Sequence, residues 1–404
     1  MRNVIAVLLL TLCSFALAAT APAPPASAAQ PDTPATVIRS PAQLQQYLRT
    51  HKDTATPLDA LSPGARERFL ASLRFGAHGL GGFATEDLSS ELDATQIRRV
   101  LALFGAADYA DSIPPANEPL RGSDPPTAVD RQYTAFFIDT LPQHDHTAEQ
   151  RAVRTRATYR KRIAPLQSRQ TLARASPHDL SLLYRAAMDL AAADKDNPHA
   201  LADAHRDLQG LAAHGLATPA RVQELYRLLV GARKFGQAHE LAHKYPTAKL
   251  EPLPRLRDET GGDTGKPTHL LLKPDEHELV RKSIDLDHGL HIIVISGCHF
   301  SVDAVKGVES VPRIAELFQR HAIWLASQTE SLADVAVWNR EHPQQPMRVA
   351  WKNSEWTRIT SWAMPTFYIF RDGKLVDQWA GWPADTGLST LRRHLARNGL
   401  WTAP

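Results

Sequence analysis

Cys298 and Ser301, three positions apart, are the residues of this chain best suited to chemistry. At that spacing on a helix the two side chains share a face, so the hydroxyl can hydrogen-bond the sulfur. A thiolate attacks disulfides, whereas a hydroxyl cannot displace one. The pair therefore predicts a single attack that gives a mixed disulfide, which an outside thiol must release. His299, when charged, would stabilise the neighbouring thiolate.

The segments on either side of Cys298 are those that would position a reactive thiol. Residues 292–295 are an unbroken β-branched run, typical of a strand buried on both faces. Gly297 permits a tight turn, and residues 301–305 begin a helical pattern. Cys298 is thus predicted at a helix start, where free N–H groups and the helix dipole favour the thiolate. The alternative is a buried cysteine that packs as a small apolar side chain.

A second stretch, residues 362–377, belongs to the same predicted site. Pro365 opens an aromatic and β-branched strand, and Asp372-Gly373 is a hairpin-turn sequence. Together with a Cys-x-x-Ser after an apolar strand, this segment closely resembles the Pro-Thr strand, turn and return strand of the thioredoxin superfamily. The resemblance covers roughly residues 266–404, about the length of one domain.

The resemblance implies several features of the site. It implies that Met364-Pro365 is a cis peptide facing Cys298, since cis bonds are nearly confined to X-Pro. It also implies that Met364, Pro365, Thr366 and Phe300 contact the client polypeptide. No cofactor or metal is expected.

Cys298 to Ser301 also resembles two variants of the superfamily that have Cys-x-Phe-Ser. Monothiol glutaredoxins, which bind iron–sulfur clusters with glutathione, have glycine in place of His299 and a Gly-Gly-Cys-Asp segment that is absent here. A disulfide-isomerase relative retains clients by mixed disulfides. Thioredoxin itself keeps a buried aspartate on the preceding strand, where this chain has no acid. The resemblance implies isomerase-like shuffling, thiol capture or monothiol glutathione-linked chemistry.

Residues 1–18 have a charged start, an apolar core and a small-residue cleavage site, which is typical of a secretory signal peptide. We expect a periplasmic or secreted protein without a transmembrane anchor, because no later stretch approaches about 20 apolar residues. Cys13 would be removed with the peptide. The alternative is a lipoprotein acylated at Cys13, although Leu12 is larger than the residue such sites favour. A mature chain with one cysteine forms no internal disulfide.

The composition indicates a folded protein of more than one domain. The chain has 404 residues, 43% of them hydrophobic, and a formal net charge of +3, which argues against disorder and nucleic-acid binding. The predicted class is multidomain, with an N-terminal all-α region followed by an α/β thioredoxin-like domain that has a central mixed sheet. The predicted parts are an Ala/Pro-rich tether at 19–39, a small helical subdomain at 40–113, a linker at 114–130, a helical array at 131–250, a linker at 251–266 and the thioredoxin-like domain at 267–404.

The helical array is predicted to bind a partner, as helical arrays usually do. Ser-Pro, Asn-Pro and Thr-Pro pairs at residues 176, 197 and 218 are helix-start signals. The last helix pair is similar to a tetratricopeptide unit, with Phe235, Ala238 and Pro246 at matching places.

Two other segments have simpler interpretations. The arginine-rich helix at 148–163 can bind an acidic partner or anionic lipid, but a solvated face is favoured. His144-Asp145-His146 has no third metal ligand placed by its spacing.

The sequence thus predicts an exported protein that uses Cys298 to engage the thiol or disulfide of a protein client, with an outside thiol as reductant. Ser301 and His299 would tune the thiolate, and the helices would position the client. The alternative is an adaptor that binds a partner without turnover.

Overall fold

The structure is a computed structural model. The residues it describes are 37–116, 118–142, 147–195, 197–262 and 265–402. The predicted signal peptide, Cys13 and most of the predicted tether lie outside these residues, as does His144-Asp145-His146. The described chain has a helical N-terminal part and a C-terminal mixed sheet of eight strands, which agrees with a multidomain α/β class.

The N-terminal part consists of eleven helices and one small hairpin within the described residues. The helices are α1 (Pro41–Thr50), α2 (Pro63–Ser72), α3 (Glu86–Glu91), α4 (Ala94–Ala102), α5 (Ala128–Thr140), α6 (Ala148–Arg162), α7 (Arg169–Leu172), α8 (Pro177–Ala193), α9 (Pro198–Ala213), α10 (Pro219–Gly231) and α11 (Phe235–Lys244). The hairpin strands are β1 (Arg74–Gly76) and β2 (Gly79–Gly82).

Five of these helices begin at a capping residue followed by proline. The side-chain oxygens of Ser40, Ser62, Ser176, Asn197 and Thr218 accept hydrogen bonds from backbone N–H groups of the first helical turn. Proline suits the next position because its missing N–H would have no helical partner there. The helix-start signals in the sequence are confirmed.

Two local differences from the sequence-based expectation have clear causes. The segment at 40–113, expected to be helical, also contains the glycine-rich β1–β2 hairpin, with Gly79 at a φ of +116°. Helix α5 begins inside the expected linker, because the hydroxyl of Thr127 accepts a hydrogen bond from the N–H of Asp130 at 3.0 Å.

The first four helices and helices α5 to α11 enclose separate apolar cores that meet at a buried ionic joint. Arg68 lies at its centre and is fully buried. Its Nε and Nη2 donate to the carboxylate of Asp87 at 2.9 and 3.0 Å, and its Nη1 donates to Asp130 at 2.5 Å. Arg185 of α8 also donates to Asp87, at 2.7 Å. Charge pairs therefore link the two helical groups.

A buried carboxyl in α9 makes the stability of the helical array depend on pH. Asp207 Oδ2 accepts a hydrogen bond from Gln167 Nε2 at 2.8 Å, while its Oδ1 has no hydrogen-bond partner among the described residues. Burial raises the pKa of Asp207 to about 7, a rise that the Gln167 bond opposes and Asp203 increases. The folded carboxyl thus keeps a proton that the unfolded one has lost, so stability falls as the pH rises from about 4 to about 7.

We therefore expect Asp207→Asn to raise the free energy of unfolding at about pH 8 by about 2–4 kcal/mol, because the variant has no carboxyl to ionise at this buried position. Near pH 4 the gain should almost vanish, since the native carboxyl is then protonated. Chemical denaturation followed by far-UV circular dichroism measures both values. An equal gain at the two pH values would show that repacking, and not ionisation, is responsible.

The C-terminal sheet has the strand order β10-β9-β6-β7-β8-β4-β5-β3. Its strands are β3 (Arg255–Asp258), β4 (Thr268–Leu272), β5 (Glu278–Ser283), β6 (Leu290–Ile295), β7 (Ala322–Ala326), β8 (Met347–Ala350), β9 (Thr366–Arg371) and β10 (Lys374–Ala380). Its helices are α12 (His299–Glu309), α13 (Pro312–His321), α14 (Leu332–Glu341) and α15 (Gly387–Arg397). Strands β6, β7 and β8 are parallel, and β9 is antiparallel to β6 and β10.

Strand β6 is interior to the sheet and buried on both faces, as its sequence predicts. Ile292 and Val294 pack into one apolar core, and Ile293 and Ile295 pack into the core on the other face. Strand β3 differs from expectation, since it lies in the segment interpreted as the second linker. All four residues of β3 are exposed at the sheet edge, so its sequence lacks the apolar alternation that marks a strand.

The helical array contacts the sheet through the turn between α10 and α11. Arg233, at a φ of +61°, donates from Nε to the carbonyl of Trp351 at 2.9 Å and from Nη2 to that of Ala350 at 2.5 Å. Gln328, just after β7, donates from Nε2 to the carbonyl of Gly231 at 3.2 Å. The end of α10 is therefore hydrogen-bonded to the segments that follow β7 and β8.

Candidate functional site

Cys298 lies where the sequence predicts it, between strand β6 and helix α12. Gly297 turns the chain with a φ of +142°, a conformation that favours glycine. Cys298 then takes the capping position of α12 in an extended conformation and is half-buried. The thiol is therefore accessible, which argues against the alternative of a buried structural cysteine.

Two polar atoms lie near the sulfur of Cys298. Ser301 Oγ is 3.5 Å from Sγ, within hydrogen-bond distance for sulfur, and Ser301 is fully buried. The thiol also donates to the carbonyl oxygen of Met364 at 3.5 Å. The Met364-Pro365 bond is cis, so the cis peptide facing the cysteine is confirmed. One sulfur, one hydroxyl and one carbonyl thus meet at the start of α12.

The other predicted site residues divide into exposed and buried groups. Phe300 and Met364 are 47% and 41% exposed, and the ring of His299 lies against Phe300 with 3.9 Å between centroids. Pro365 and Thr366 are buried. The Thr366 hydroxyl donates to the carbonyl of Ala363 at 2.7 Å, so Thr366 shapes the loop that presents Met364.

Glu330 is a residue of the site that the sequence analysis missed. A Cβ atom at position 297 would lie 2.4 Å from Glu330 Oε2, so the Glu330 carboxyl lies directly against the backbone of Gly297 and any larger residue there would displace it. Burial raises the pKa of Glu330; a backbone hydrogen bond with Ser331 opposes the rise and Asp334 adds to it. No local sequence pattern marks Glu330; it reaches the site because β6 and β7 are parallel, so the loops at their carboxyl ends lie at the same end of the sheet.

Cys298 opens onto a surface depression of about 220 Å³. Its polar lining includes three carboxylates, from Glu330, Asp334 and Glu341, and its apolar lining includes Val302, Val337 and Trp338. A larger cleft of about 530 Å³ lies between α10 and residues 329–334, which comprise the end of the β7–α14 loop and the first turn of α14. Glu330 and Asp334 line both cavities, so the depression and the cleft adjoin.

The arginine-rich helix α6 is engaged in structural ion pairs. Arg156 donates to Asp194 at 2.6 Å, and Arg162 donates to Asp139 at 2.9 Å. In the described part of the chain, no group of three or more His, Cys, Asp or Glu residues could hold a metal ion. None of the helices described has the length and apolar character needed to cross a membrane.

The site can form one covalent bond to sulfur and cannot break it by itself. Cys298 is the free cysteine of the described residues, and the hydroxyl of Ser301 cannot displace a disulfide. No protein-family model, no curated protein and no solved structure matches this chain. A function for the site must therefore be inferred from its geometry and charge.

Proposed function

We propose that the protein acts on the thiols or disulfides of protein clients through a mixed disulfide at Cys298. The observation that carries the proposal is the half-buried thiol at the start of α12, with Ser301 Oγ and the Met364 carbonyl each 3.5 Å from the sulfur. Partial exposure of Cys298 lets a second sulfur approach.

The exchange needs no metal or redox cofactor. The thiolate of Cys298 attacks one sulfur of a client disulfide, the client S–S bond breaks, and the other client sulfur leaves as a thiolate that takes a proton. The hydroxyl of Ser301 hydrogen-bonds the attacking sulfur. A small outside thiol, as its thiolate, then attacks the client sulfur, carries the client away and returns the Cys298 thiolate. Each exchange conserves the number of disulfides.

The order of elements supports a thioredoxin-like domain. Strand β6, helices α12 and α13 and strand β7 make a parallel βαβ unit, which the β9–β10 hairpin and α15 complete. The cis Met364-Pro365 bond before β9 fits the same assignment. The proposal also includes export of the protein, because residues 1–18 are predicted to be a signal peptide.

A second candidate is an adaptor that holds a partner without turnover. The cleft of about 530 Å³ between α10 and residues 329–334 favours it, because the helical array and the α/β part each form one wall of this cleft. In that case the sulfur of Cys298 would not be required for binding.

The test is to incubate the native full chain with glutathione disulfide and to map the adduct by peptide mass spectrometry. We expect a mixed disulfide at Cys298 without denaturant, and none at this position in Cys298→Ser. Any adduct at Cys13 would form in both the parent and the variant, so the difference between them reports on Cys298 alone. A Cys298 that reacts only after denaturation would overturn the thiol function and leave the adaptor.

A further inference from the structure

The surface around Cys298 carries exposed apolar side chains. Phe300, Val337 and Met364 are 47%, 43% and 41% exposed, and all three lie on segments at the thiol or its depression. Exposed apolar groups that gather at one place commonly mark an interaction surface. In the part of the chain that the structure describes, these three side chains keep more than two fifths of their surface exposed, so a polypeptide can approach the sulfur across them.

Three carboxylates give the depression beside Cys298 a negative charge. Glu330, Asp334 and Glu341 all line it, and none of them forms an ion pair with another described residue. The imidazole of His299 also lines the depression, and the three carboxylates outnumber this one basic group. A concave surface in which one sign of charge predominates raises the local concentration of groups of the opposite sign. The depression is therefore complementary to a cation.

The apolar lining narrows the choice of cation. Val337 and Trp338 line the same depression as the carboxylates. Lysine and arginine side chains combine an apolar stem with a charged end, so the stem can contact these residues while the charge meets Glu330 or Glu341. At about 220 Å³, the depression has room for one such side chain.

We propose that the depression selects clients with a lysine or arginine next to the reacting cysteine. The inference rests on the proposed function, because Cys298 must bond to the client. The occupant is an extended segment whose cysteine lies at Cys298 and whose basic side chain enters the depression. The segment continues past Glu330 and Asp334 into the cleft beside α10, since these two residues line both cavities.

The test uses short peptides with one cysteine, activated as mixed disulfides with 5-thio-2-nitrobenzoate and flanked by lysine, glutamine or glutamate. The second-order rate constant with native protein is divided by that with 2-mercaptoethanol, which removes differences in intrinsic peptide reactivity. We expect the normalised rate for the lysine peptide to exceed that for the glutamate peptide by about tenfold at low salt. The ratio should shrink in about 0.5 M NaCl, which screens the charges.

Two matched variants show whether the depression is responsible. Glu341→Gln removes one carboxylate from an exposed position of α14 and should lower the lysine-to-glutamate ratio by about threefold. Glu316→Gln makes the same change in net charge on α13, which ends at the sheet edge opposite Cys298, and should leave the ratio unchanged.

The outcomes distinguish the inference from the function on which it rests. Equal normalised rates for all three peptides would overturn the charge selection and leave the thiol chemistry intact. A ratio that Glu316→Gln lowers as much as Glu341→Gln would also overturn it, because net charge would then be the cause. A native protein that reacts with none of the peptides would overturn both.

Discussion

Replacing Ser301 with cysteine is expected to shorten the lifetime of the mixed disulfide at Cys298 by about a hundredfold or more. Ser301 Oγ lies 3.5 Å from Cys298 Sγ, so a sulfur on that side chain would come within bonding reach after small shifts. An intramolecular thiol acts at a far higher effective concentration than a thiol in solution. The Ser301→Cys variant should release the client and close its own disulfide.

The lifetime is measured by loading Cys298 with a fluorescent peptide disulfide and following its release at a fixed concentration of outside thiol. Ser301→Ala should keep the adduct as long-lived as the parent does. Ser310→Cys adds a thiol at the opposite end of α12, where it cannot reach the sulfur, and controls for the extra thiol. Equal lifetimes in Ser301→Cys and Ser310→Cys would show that position 301 does not face the client bond.

We expect Arg68→Met to lower the free energy of unfolding of the helical region by about 3–5 kcal/mol. The change removes the guanidinium from Asp130, which keeps only His178 Nε2 at 3.8 Å as a basic neighbour, and it removes two of the hydrogen bonds to Asp87. Both carboxylates are nearly inaccessible to water, so solvent cannot replace the lost partner.

The same helix provides a control for the Arg68 prediction. Arg66 pairs with Asp59 at 2.5 Å, as close as Arg68 is to Asp130, but both side chains are partly exposed. Arg66→Met should therefore cost less than about 1 kcal/mol. Adding Asp130→Asn to Arg68→Met should recover part of the loss, because the unpaired charge is removed. Similar losses for both arginines would contradict the prediction.

The positions of the tryptophans allow the Arg68 measurement to be localised. All eight lie at residue 324 or beyond, so tryptophan fluorescence follows the sheet, whereas far-UV circular dichroism is dominated by the helices. Arg68→Met should move the circular dichroism transition to lower denaturant. A smaller shift of the fluorescence transition would indicate that the ionic joint acts mainly within the helical region.

Features set by neighbouring residues could be predicted from the sequence. Helix α8 begins as expected, because Ser176 caps it through its own hydroxyl. Strand β6, the turn at Gly297 and the helix start at Cys298 follow from three adjacent patterns. The cis Met364-Pro365 bond was expected from the resemblance and is present. The thioredoxin-like assignment itself stays a prediction.

Features that join distant residues could not be predicted in this way. Arg68 and Asp130 are 62 positions apart, and nothing in either local sequence indicates a buried pair. Glu330 reaches Gly297 only because the sheet places β7 beside β6. Strand β3 owes its existence to pairing with β5 and not to its own exposed residues.

Arg233 fastens the turn between α10 and α11 to the carbonyls of Ala350 and Trp351. These hydrogen bonds hold the end of α10, and with it one wall of the cleft, against the sheet that carries Cys298. A client could fill the cleft and reach Cys298 at the same time only if its cysteine and its cleft-filling segment were a set number of residues apart. An extended chain advances about 3.3 Å per residue, so the distance fixes that number. The protein would then choose among clients by the interval between two features of their sequence as well as by their identity.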